Sequence, residues 1–160
     1  MTTMPELLVP AGDPDKLATA LAYGADAVYL GGQALSLRAA TGGFSFPELR
    51  DAVKLAHTKN AKVYFALNLL AREEHLPGVE GYLEELAGIN VDGLIIADPG
   101  IMAMALRRVP HIPIHVSTQA STSNSATAMF WRDLGARRVN VARELGASRI
   151  RAMVEKVPNL

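Results

Sequence analysis

Short apolar runs alternate with amphipathic stretches along the chain, and the alternation returns six times. Each round reads as a strand, a Gly-rich or polar turn, and a helix whose apolar positions recur every three or four residues. Strands are predicted at 7–9, 27–30, 62–69, 93–97, 114–118 and 138–142. Helices are predicted at 14–23, 47–59, 79–87, 101–107, 125–134 and 147–156. Start signals agree with the helices: Asp13 then Pro14, Ser45 three residues before Glu48, Asp98 then Pro99, and Ser123 or Asn124 before an Ala-rich run offer caps or first-turn prolines. Gly24 and Gly135 are natural stops.

No hairpin dipeptide joins two strands, so the pattern implies parallel strands linked by right-handed crossovers. A doubly wound sheet buries both strand faces in apolar contact, whereas barrel strands carry a second, more polar set pointing inward. Such sets are visible: Tyr64, Ala66 and Asn68 in the third strand, His115, Ser117 and Gln119 in the fifth, Asn140, Ala142 and Glu144 in the sixth. The fold predicted is α/β, an incomplete TIM-type (β/α) barrel with about six of its eight parallel units. Strand starts recur about every 26 residues, so eight units would need roughly 210 residues. The 160 residues present are therefore read as one domain, the N-terminal portion of a longer barrel protein. Its open edges would favour self-association.

Composition narrows the chemistry. Hydrophobic residues make up 49 % and charged residues 20 % of the chain, which excludes an intrinsically disordered protein. Sixteen basic side chains balance sixteen acidic ones, so the whole chain has no electrostatic handle for nucleic acid or anionic membrane. The balance is local, however: from Trp131 to Leu160 seven basic side chains face three acidic ones, read either as solvated helix faces or as a basic rim. Cysteine is absent, which removes thiol nucleophiles, disulfides and thiolate-held clusters from this stretch. No apolar run approaches a membrane span, and the N-terminus lacks signal-peptide character. A soluble cytoplasmic protein without membrane contact is expected.

A β/α barrel places its active site at the C-terminal strand ends. There lie Gly31 and the long loop carrying Arg38, then Asn68, Asp98, Ser117 with Gln119, Asn124, and Arg143 with Glu144. Gly31, Arg38, Asn68, Ser117, Gln119, Asn124 and Arg143 are the expected substrate-binding residues. Gly31-Gly32 could approach a phosphate closely or form a plain barrel loop, for it lacks both nucleotide-binding glycine spacings. His115 and Glu144 are the catalytic candidates. His115 suits a general base or a hydrogen-bonded interior histidine. Glu144 shares strand parity with Asn140 and is taken to point inward, with Arg143 outward. His111 and His115 are no metal pair, because Pro110 and Pro113 impose an extended backbone that separates them by about 13 Å. No metal site is expected. The serines at 117–125 lack a nucleophile elbow and read as helix caps.

Four segments in order, 6–12, 23–31, 113–119 and 142–145, make nearly the whole chain resemble the N-terminal part of the peptidase U32 family, also called collagenase-like proteases. Asp98-Pro99-Gly100 and Phe130-Trp131 resemble the branch that hydroxylates RNA bases. The resemblance implies a role in tRNA or rRNA modification, with a small hydroxyl donor of unknown identity. It also implies a [4Fe-4S] cluster in the full-length protein on cysteines beyond the ARE-like segment, with no cofactor in this stretch and no activity for it alone. The competing expectations are the peptidase (hydrolase) activity of the family's name, and another phosphate-binding barrel enzyme or an inactive fragment.

Overall fold

The computed structural model describes residues 4–33, 43–158 and 160. The strands are β1 (Leu8–Pro10), β2 (Ala27–Leu30), β3 (Lys62–Leu67), β4 (Gly93–Ile96), β5 (Ile114–Val116) and β6 (Arg138–Val139). Between and after them come the helices α1 (Pro14–Ala22), α2 (Phe46–Thr58), α3 (Leu76–Ile89), α4 (Pro99–Arg108), α5 (Ser125–Leu134) and α6 (Ala147–Lys156). The strands form one sheet in chain order, each parallel to the next. That order has no reversal point and so is not doubly wound.

The sheet curls. Six flat strands would hold β1 and β6 roughly 24 Å apart, far beyond the reach of two side chains. Yet Arg138, opening β6, donates a 2.7 Å hydrogen bond to Glu6, two residues before β1. The expected half-barrel of six units is therefore the fold.

Local chemistry sets the helix ends. Asp13, Asp98 and Asn124 accept from Lys16, Ile101 and Thr127 N–H at 2.8 to 2.9 Å. Ser45 and Glu48 cap each other's backbone at the start of α2. Gly135 ends α5 at φ 115°, a conformation that only glycine adopts without strain. Between helices and sheet, the outward strand residues Val28, Leu30, Val63, Phe65, Leu94 and Val116 join one buried cluster with Leu17, Leu49, Leu83 and Ile101. The inner face is different: Ala27, Tyr64 and Ile95 form a separate small cluster.

Four strands, β3 to β6, end sooner than their hydrophobic pattern predicts, β4 by the single residue Ala97. Ser117 Oγ accepts from Gln119 N–H at 3.2 Å, which folds Thr118–Ala120 into a 3-10 turn and stops β5 at Val116. Beyond Val139 the pairing passes to loops: Asn140 donates to the Val116 carbonyl and Ala142 to that of Thr122, both at 2.9 Å. β3 stops at Leu67, before Asn68. Among the described residues no helix is long and apolar enough to cross a membrane.

Candidate active site

Two polar regions occupy opposite ends of the strands. At the rim, the C-terminal end, Thr118, Gln119, Ser121, Arg143 and Glu144 line a depression of about 210 Å³. The loops that carry them are tied together by the hydrogen bond from Ala142 to Thr122. Ser121 sits at φ 51°, a left-handed conformation that is uncommon outside glycine and that concentrates at functional loops. Arg143 and Glu144 are both exposed and line the same depression. This corrects the inward and outward assignment made from strand parity: β6 ends at Val139, and a turn closed by Leu145 N–H on the Ala142 carbonyl removes the alternation.

The other rim candidates serve the backbone as well. Buried Ser117 caps the 3-10 turn, and exposed Asn124 caps α5. Gly31 accepts the Phe44 N–H at 2.9 Å, pinning both ends of the long loop; Arg38 lies outside the described residues. Asn68 is half-buried, and its Oδ1 is shielded from water without a hydrogen-bond partner among the described residues. Thr122 Oγ1 shares that condition. An acceptor left so costs about 1–3 kcal/mol.

His115 is elsewhere. It lies on the inner face but does not line the depression that holds Glu144, so the two catalytic candidates are not brought together. The residue is 4 % exposed, and its ring meets Tyr64 edge-on, with centroids 4.5 Å apart. Tyr64 Oη donates to Glu6 Oε2 at 2.9 Å, and the Arg138 guanidinium lies 5.5 Å over the Tyr64 ring while bonding the other Glu6 oxygen. Lys62 Nζ stands 3.5 Å from the same carboxylate. Glu6, Lys62 and Arg138 all sit where strands begin, so the group forms the floor of the half-barrel. Gly93 makes room for it: a Cβ there would stand 3.1 Å from Tyr64 and 3.4 Å from His115.

Burial, and then the positive charge of Arg138, push His115 down to about 4. It is therefore neutral near pH 7, far from the poise of an efficient general base. Burial and the bond to Glu6 push Tyr64 up to about 12. Burial alone would raise Glu6, but hydrogen bonds from Arg138 and Tyr64 and the charges of Arg138 and Lys62 outweigh it and hold the carboxyl below its ordinary value.

Sequence reasoning missed the partnership of Glu6 with Arg138, the role of Gly93, and the contribution of Ser121 to the rim. Parity had placed Tyr64, His115 and Asn140 inward, and the same parity carried back to Arg138 would have pointed to a charged interior. A second depression, of about 350 Å³, is lined by His57, Asp92 and His111 among others. It opens at the floor end, where Asp92 accepts from Val63 N–H at 2.8 Å and contacts His57 at 2.9 Å. It therefore joins α2 to the sheet at the end of the barrel that serves stability. No group of three or more His, Cys, Asp or Glu side chains converges among the described residues, and the chain has no cysteine. These residues do not fit an iron-sulfur cluster, which needs thiolates.

The model of peptidase family U32 matches residues 12–160. The chain belongs to that family. This U32 chain is 44 % identical to the tRNA hydroxylation protein P1 of Bacillus subtilis, over 98 % of its own length and 37 % of the relative's. It is 34 % identical to the 23S rRNA 5-hydroxycytidine C2501 synthase of Escherichia coli, over 92 % of the chain and 22 % of the relative. Among solved structures, a U32 peptidase superposes with a TM-score of 0.79 at 19 % identity, covering 98 % of this chain and 67 % of that one, a likeness of fold. The chain thus spans little more than a third of the length of the first of these curated relatives.

Proposed function

We propose that this U32 chain is the barrel segment that presents the substrate base in a protein that hydroxylates RNA, with tRNA or rRNA as the target. The observation that carries this reading is the 44 % identity to a tRNA hydroxylation protein along 98 % of the chain. The rim supports it. An amide, two hydroxyls, a guanidinium and a carboxylate converge on one open depression, the mixture of donors and acceptors that reads the edge of an unstacked base. A thiolate-held redox centre is not assigned to these residues, because the chain has no cysteine.

Peptide hydrolysis, the activity in the family's name, receives no such support. A serine nucleophile needs an adjacent base, and no serine is hydrogen-bonded to a histidine among the described residues.

The test is a chimaera in which this chain replaces the corresponding segment of the Bacillus subtilis relative, in a host lacking its own tRNA hydroxylation proteins. Mass spectrometry of digested tRNA should show hydroxylated nucleosides restored. A soluble chimaera that restores none would overturn the reading.

A further inference from the structure

Resting on that RNA reading, we propose that the flank formed by α6 and the loop before it is a docking surface for the phosphate backbone of a folded RNA, holding it while the rim takes the base. The first observation is a division of charge. The chain is neutral overall, yet residues 131–160 carry seven basic and three acidic side chains, leaving the first 130 residues with a net −4 against +4 here. Arg143, Arg149, Arg151 and Lys156 are exposed, and among the described residues none forms an ion pair. On α2 and at its C-terminal cap the exposed cations Arg50, Lys54 and Lys59 are offset by Glu48 and Asp51 close by. Against the four cations of α6 and its preceding loop stand Glu155 in the helix and Glu144 in the loop.

Helix stability does not explain the placement. A cation in the first turn opposes the helix dipole. Helices α1 and α2 conform, with Asp15 and Glu48 in their first turns and side-chain caps. In α6 the first turn holds Arg149 and no acid, and Gly146 at its start provides no side-chain cap. Arg149 thus opposes the dipole of its own helix, whereas Lys156 in the last turn complies with it.

Position supplies the second link. Arg143 lines the rim depression, and α6 begins four residues later; on that helix Arg149 and Lys156, seven residues apart, share one side, and Arg151 flanks the opposite side. A ten-residue helix runs about 15 Å, the length of roughly four phosphates along one strand. Phosphate contacts of this kind position a nucleic acid without reading its sequence, which complements a rim that reads a base.

The experiment measures binding of unmodified tRNA to the full chain by fluorescence anisotropy across a salt series. It compares wild type with the triple variant Arg143→Gln/Arg149→Gln/Arg151→Gln and with an equal charge loss on α2, Arg50→Gln/Lys54→Gln/Lys59→Gln. Circular dichroism should show the same helix content in all three. The expected result is affinity that falls steeply with salt, weakened at least tenfold by the first triple with a flatter salt slope, and little changed by the second. Equal effects of the two triples, no tRNA binding, or binding to anionic phospholipid vesicles in place of tRNA would overturn the proposal. A chimaera that hydroxylates tRNA while the first triple leaves binding unchanged defeats this inference alone. An inactive chimaera with binding that still depends on Arg143, Arg149 and Arg151 defeats the hydroxylation reading alone.

Discussion

Tyr64, on the inner side of β3, and Asn68, one residue past its end, stand four residues apart, and their polar atoms meet opposite fates. At the floor, Tyr64 Oη reaches Glu6 at 2.9 Å, and the same carboxylate holds Arg138 at 2.7 Å. At the rim, Asn68 Oδ1 is shielded from water and finds no partner among the described residues. The rim depression next to the β5 and β6 loops is lined by exposed Gln119, Arg143 and Glu144. A satisfied, buried polar network fixes one arrangement and has little left to offer a ligand, whereas unpartnered groups can be completed by one. The floor is thus a closure, joining the two edge strands of an open barrel, and the rim is the end left open to a ligand. Substitutions at the two ends should accordingly move different observables.

The largest effect on stability is expected at Gly93. A Cβ there would meet Tyr64 at 3.1 Å, the Pro113 carbonyl at 3.2 Å and His115 at 3.4 Å. The carbonyl cannot withdraw, because it accepts the Leu94 N–H at 2.9 Å. Gly93→Val should therefore overpack the floor and cost about 3 kcal/mol, read as a lowered urea midpoint. A variant as stable as wild type would show that the floor is loosely packed and would erase its contrast with the rim.

A smaller effect separates the ends by pH. His115 titrates near 6.5 when unfolded but is held to about 4 in the fold. Between those values the unfolded chain binds the extra proton, so stability declines as pH falls from 6.5 towards 4, by at most about 1.4 kcal/mol per pH unit. Glu6, held below its ordinary 4.5 in the fold, adds a further loss as pH falls from that value through its folded one. Urea midpoints at pH 7.5, 6, 5 and 4 should trace this decline. His115→Phe keeps a ring against Tyr64 and should flatten the part between 6.5 and 4; an unchanged profile would place the sensitive group elsewhere.

The same contrast explains what could be read in the sequence. The two C-terminal helices, Ser125–Leu134 and Ala147–Lys156, are legible because short-range periodicity and caps such as Asn124 set their bounds. Inward-facing Tyr64 and His115 are legible because strand parity is local. The depth of His115 in the barrel depends on how six strands are staggered, which no single strand encodes. The Glu6–Arg138 contact spans 132 residues and follows from curvature, which the hydrophobic pattern does not record. Glu144 was misread because parity holds only while pairing lasts, and Asn140 and Ala142 remain hydrogen-bonded after the strand has ended. Its membership of the rim survives because Arg143 and Glu144 follow the sixth strand whichever way each points.

The smallest effect on stability, and the sharpest for function, is expected at Gln119. Its side chain is exposed at the edge of the rim depression, and no side-chain hydrogen bond anchors it among the described residues. Its backbone N–H, which caps the 3-10 turn on Ser117, is retained in any substitution. Gln119→Ala should therefore change the urea midpoint by less than about 0.5 kcal/mol. In the chimaera the same change removes an amide that offers both a donor and an acceptor to a base edge. It should lower tRNA hydroxylation roughly tenfold, the worth of one or two hydrogen bonds made to substrate. Hydroxylation at the wild-type level with unchanged stability would move the base-reading contact away from the fifth strand's loop, leaving Arg143, Glu144 and Asn68 to carry it. A marked loss of stability would instead show that the rim shares the floor's structural duty.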